Sequence, residues 1–88
     1  MRIKDGFRLR DVMGQATVIG EGAAQVDFTK LVILNSSAEF LWKEVEGKEF
    51  DADMLASLLI DRYGIEEGLA HKDAEAVMNQ WKEAGLTE

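Results

Sequence analysis

The segment Leu31–Trp42, LVILNSSAEFLW, runs four consecutive apolar residues directly into a helix-start signal. Leu31–Leu34 reads as a strand, and Ser36-Ser37-Ala38-Glu39 fits the S-x-x-E capping box, in which serine and glutamate satisfy each other's free backbone N–H groups. Ala38, Leu41, Trp42 and Val45 follow at i, i+3, i+4 and i+7, one apolar stripe that Gly47 ends. A chain of 88 residues has few places to bury a strand on both faces. Whatever covers Leu31–Leu34 therefore decides much of the architecture.

Side-chain alternation divides the strand. Leu34 continues the stripe of the first helix, so Val32, two residues earlier, shares its face. Leu31 and Ile33 point the other way. The chain leaves this strand directly for a helix, which marks it as a sheet edge, and only Lys30 blunts that edge with charge. Either the third helix covers Leu31 and Ile33, or another strand docks there.

The residues before it read as short strands. In FRLRDV, Phe7 and Leu9 alternate with Arg8 and Arg10, the period of a half-buried strand. Met13-Gly14 breaks the run and QATVIG resumes it, which predicts a hairpin, although Met-Gly is a weaker turn signal than Asn-Gly. Glu21–Ala24 reads as a loop, and Val26 and Phe28 either extend the sheet or anchor that loop. Beyond the first helix, Asp51 is the expected N-cap of a second, with Phe50 placed to staple onto Leu55. Leu55, Leu58, Leu59 and Tyr63 form its expected buried face, and Gly64 stops it. A third helix starts between Glu66 and Lys72, with the stripe Ala70, Ala74, Val77, Met78 and Trp81. Gly85 takes the left-handed position at its end and lets Leu86 fold back onto Trp81. The expected fold is α+β and winged-helix-like: an N-terminal three-stranded antiparallel sheet followed by three helices, as a single domain over residues 1–88.

Composition narrows the chemistry. The absence of cysteine removes disulfides, iron–sulfur clusters and thiolate zinc sites. The charged N-terminus has no signal-peptide core, and no apolar run approaches a membrane span, so a cytoplasmic protein with no membrane partner is expected. Residues 1–30 carry a net +1 and residues 31–88 a net −8. Because affinity for nucleic acid comes largely from neutralising phosphates, an acidic helical half argues against it. His71 is the only histidine and sits at a polar position of the third helix, where a solvated surface residue is expected. Asp51-Ala52-Asp53 is better explained by a helix cap than by a metal, and Gly20-Glu21-Gly22 by a flexible loop than by a phosphate cradle. No catalytic residue, metal ligand or cofactor site is expected. Trp42 and Trp81 read as core, Trp81 with the capacity to line a groove beside the adaptable Met78.

Leu34-Asn35-Ser36-Ser37-Ala38 leading to Leu41-Trp42, then Glu46-Gly47, Arg62-Tyr63 and Glu83-Ala84-Gly85-Leu86, resemble the coenzyme PQQ synthesis protein D (PqqD) family. The resemblance spans nearly the whole chain, from about Phe7 to Leu86. It implies a non-enzymatic recognition element that binds the leader of a ribosomally made precursor peptide by strand addition. The bound leader is presented to a modifying enzyme such as a radical SAM protein. Carried onto this sequence, the docking edge is Lys30, Leu31, Val32 and Ile33, and the groove wall is drawn from Ala74, Val77, Met78 and Trp81. Two other readings remain: a winged-helix DNA-binding domain, and a homodimer or assembly subunit joined through the open edge.

Overall fold

The computed structural model describes residues 1–20 and 32–87. Elements follow in the order β1 (Phe7–Val12), β2 (Gln15–Gly20), β3 (Val32–Leu34), α1 (Ser36–Val45), α2 (Ala52–Tyr63) and α3 (Glu67–Glu83). This is the expected α+β arrangement of an antiparallel sheet followed by three helices. The expected loop at Glu21–Ala24, the Gly20-Glu21-Gly22 loop beyond its first residue, the open assignment of Val26 and Phe28, and the edge residues Lys30 and Leu31 lie outside the described residues.

The strands are ordered β1-β2-β3. Register places Leu9 opposite Val18 and Val18 opposite Val32, with Ala16 opposite Leu34, so these apolar side chains share the face turned to the helices. The hairpin between β1 and β2 closes through Met13 and Gly14, with Val12 paired to Gln15. Both turn residues have positive φ, 54° and 83°, the requirement of the primed two-residue turn that matches strand twist. Met13 adopts this left-handed conformation fully exposed, where its side chain meets nothing.

α1 begins one residue earlier in its cap than the capping box predicts. Asn35, in an extended conformation, is the N-cap, and its Oδ1 accepts from the Ala38 N–H at 2.9 Å. Ser36 is thereby already the first helical residue. Glu39 does not reach back as a capping partner; its carboxylate accepts from Lys43 Nζ at 3.1 Å, an i,i+4 pair. Asp51 caps α2 as expected, accepting from the Met54 N–H at 2.8 Å, and Gly64 ends it in the left-handed conformation. Gly85 and Leu86 close α3 with a Schellman pair: Leu86 N–H donates to the Trp81 carbonyl and Gly85 N–H to that of Lys82.

The core joins Val18 and Leu34 from the sheet to Ala38, Leu41, Trp42 and Val45 of α1, Leu55, Ala56 and Leu59 of α2, and Ala70, Ala74 and Trp81 of α3. Trp81 is central, with its ring edge-to-face against both Trp42 (5.3 Å between centroids) and Phe50 (5.9 Å). The chain ends add a small tie. Ile3 bridges Thr87, Lys4 N–H donates to the Leu86 carbonyl, and Phe50 N–H donates to the Met1 carbonyl. Tyr63 departs from the expected buried face and is 44% exposed. As the last residue of α2 it overshoots the core and meets Phe40, edge-to-face at 6.1 Å. No helix among the described residues is long and apolar enough to cross a membrane.

Candidate functional site

β3 pairs with β2 on one side and, among the described residues, with no strand on the other. Its three side chains alternate as the sequence requires. Leu34 is buried, Val32 is half-buried against the core, and Ile33 stands 57% exposed on the opposite face. Burying that last side chain would be worth about 1.5–3 kcal/mol relative to leaving it in water, so an apolar partner would be rewarded here.

Two clefts adjoin the C-terminal end of this strand. One, of about 520 Å³, runs between the hairpin residues Gly14–Ala16, the β3–α1 junction from Ile33 to Ser36, and Gln80 of α3. The other, of about 500 Å³, lies between α1, the α2–α3 corner and α3. Its floor is apolar, formed by Leu41, Leu59, Ile65 and Val77, and its rim carries Asn35, Ser37, Tyr63, Asp73, Ala76 and Gln80. Asn35 and Gln80 line both clefts, so the two adjoin between the C-terminal end of β3 and α3, and together they make up the candidate groove. The capped start of α1 sits at the junction, which fixes Asn35 there through its bond to Ala38.

The structure distributes the sequence-derived wall unevenly. Ala74 and Trp81 are 0% exposed and belong to the core behind the groove. Val77 is half-buried and lines the groove, and Met78 is half-buried and packs against the core. Asp73, Ala76 and Gln80, which the apolar stripe of α3 passes over, line the groove beside Val77. Their spacing was a usable signal, since 73, 76, 77 and 80 are i, i+3, i+4 and i+7 and occupy one face next to the buried stripe. Ile65 lies in the corner between two helices, where helical periodicity gives no indication.

Chemically, the groove offers apolar surface, amide and hydroxyl groups, and the carboxylates of Asp73 and Glu39, with no histidine, lysine or arginine among the described lining residues. Such a lining suits binding of an extended chain better than proton transfer, for which a base and its partner would have to converge. His71 lies elsewhere, at the α2–α3 contact. It is half-buried rather than fully solvated, with Nδ1 3.5 Å from Asp53 Oδ1 and Nε2 3.9 Å from Glu67 Oε1. Among the described residues, no group of three or more metal-ligating side chains is placed to hold an ion.

Comparison with known proteins adds a family. Residues 21–86 match the sequence model described as Coenzyme PQQ synthesis protein D (PqqD). Comparison with curated proteins and with solved structures gives no match. The family match covers most of the 88 residues and takes in β3, the Asn35 cap, all three helices and the Schellman turn. On that coverage, the chain belongs to the coenzyme PQQ synthesis protein D (PqqD) family.

Proposed function

We propose that this protein is a non-enzymatic peptide-binding module that takes up the leader of a ribosomally made precursor peptide and presents it to a modifying enzyme, a radical SAM protein in the reading the family favours. The observation that carries this reading is the β3 edge, with Ile33 57% exposed and no strand beside it among the described residues, opening onto a groove along α3. The leader would pair along Lys30–Ile33 and lay side chains against Val77, with Met78 supporting that wall and Ala74 and Trp81 holding it from behind. The helical half, with its net −8 spread over residues 31–88, does not favour a phosphate backbone in the same groove.

The energetics suit a transient complex. A few added backbone hydrogen bonds contribute about 0.5–1.5 kcal/mol each, and ordering a flexible leader costs about 2–5 kcal/mol. Pairing alone therefore roughly breaks even, and apolar side chains entering the groove must supply the margin. A Kd near the micromolar range, about −8 kcal/mol, is expected.

Proline tests the edge directly, because it removes a backbone donor and is tolerated at a free edge. In an amide-shift titration with synthetic precursor leaders, one of Val32→Pro and Ile33→Pro should stay folded and lose binding, and shifts in the unaltered protein should concentrate in residues 30–37 and 73–80. Unchanged affinity in both folded variants would sink strand addition. Sedimentation over a concentration range identifies the other occupant the edge would accept, a second copy.

A further inference from the structure

Resting on the peptide-binding reading, we infer which peptides the groove selects: a segment with an apolar side chain and a lysine or arginine two residues away, the apolar group over Val77 and the cation against Asp73. Asp73 is the one charged residue, among the described residues, lining the cleft between α1 and the α2–α3 corner. Its carboxylate has no ion-pair or hydrogen-bond partner among the described residues. The adjoining cleft at β3 contributes only Glu39, which Lys43 already pairs at 3.1 Å. Among the described residues, no fixed cation lines the cleft beside Asp73, so a positive group there would be brought by the ligand.

Spacing fixes the motif. Asp73 and Val77 are one turn apart on α3, about 6 Å along the axis. In an extended peptide, residues i and i+2 project from one face and lie about 6.6 Å apart. A strand continuing from the β3 edge along α3 thus meets Val77 and Asp73 with two successive side chains of the same face. An acidic residue in place of the cation would face Asp73 in a chain of net charge −7, and like charges at close range select against it.

The test is selection from a displayed library of short random peptides against the full chain and against Asp73→Lys, with an enriched peptide then synthesised and titrated. The unaltered chain should enrich an apolar residue and a lysine or arginine two positions apart, in one order or the other, and Asp73→Lys should shift the charged position to Asp or Glu. For the synthesised peptide, Asp73→Asn should weaken binding about threefold and Asp73→Lys about tenfold, the scale of exposed charge pairs, with the loss shrinking in high salt. Asp73 is exposed, so circular dichroism of both variants should be unchanged. Enriched peptides without a cation, or the same preference in Asp73→Lys, would overturn the inference. If such peptides still lose binding on whichever of Val32→Pro and Ile33→Pro stays folded, the peptide-binding reading stands alone. No enrichment over an unrelated control protein would overturn both. A dimer that sequesters Tyr63 would assign the groove to a second copy and likewise overturn it.

Discussion

Two adjacent faces of α3 are built to opposite specifications. One carries Ala70, Ala74 and Trp81, all fully enclosed, the alanines admitting α2 at close range and the tryptophan wedged between Trp42 and Phe50. The other, rotated by under a third of a turn, carries Asp73, Ala76, Val77 and Gln80 along an open groove. The first face is committed to packing, and any change in volume there is felt by every layer of the core. The second touches the core only through the edge of Val77, so it can vary in chemistry while the fold stays the same. In the proposed reading, stability and recognition fall to neighbouring rows of side chains within one helix, and Gln80 and Trp81, adjacent in sequence, lie on different rows.

Substitutions along these rows should separate the two. Trp81→Ala should have the largest effect, a loss of about 3–5 kcal/mol read from urea denaturation, with peptide binding lost only because the fold is lost. If that variant kept its stability and lost binding, Trp81 would belong to the groove after all and the division would fail. Asn35 stands between the two roles, since it caps α1 and lines both clefts. Asn35→Ala should cost about 1 kcal/mol of stability. Ser36→Ala should change it by less than about 0.5 kcal/mol, as befits a first-turn residue that follows the Asn35 cap. The reverse ranking would restore the serine cap. Gln80→Ala should be the mildest, within about 0.5 kcal/mol in stability. It should nevertheless weaken a bound leader by an amount on the scale of one hydrogen bond, about 0.5–1.5 kcal/mol by titration calorimetry. A stability loss as large as that of Asn35→Ala would show that the groove face is also structural.

Much of this was legible in the sequence because local rules agreed with one another. Alternation in FRLRDV and VIL, the Asp51 cap, and the glycines at 47, 64 and 85 each act through backbone geometry within a few residues, and the structure keeps them all. The capping box put the cap one residue late, on Ser36, because two capping patterns overlap at Asn35-Ser36-Ser37. The choice was made by how far β3 stays extended, and Asn35 is the residue with strand-like φ and ψ. Tyr63 escaped for a different reason. It lies on the apolar side of α2, but a helical pattern does not tell where the opposing layer stops, and there the ring meets Phe40 and stays partly in solvent. At the groove, Val32 and Ile33 followed from alternation, whereas Ala74 and Trp81 could not be told from groove wall until α2 and Phe50 were seen packed against them.

The sequence by itself determined the order of elements, most of their boundaries to within a residue or two, and which side chains of β3 turn inward and which outward, because each depends on spacing along one chain; that α3 leaves Ile33 uncovered came from the fold. Only the tertiary structure decided which row of α3 is spent on the core and which is left beside the β3 edge. That choice depends on where α1, the α2–α3 corner and the sheet meet, a relation between distant residues that no single helix or strand encodes. Asp73 shows the consequence: in the sequence it is one acid among seventeen, and in the fold it is the carboxylate at the end of an apolar groove.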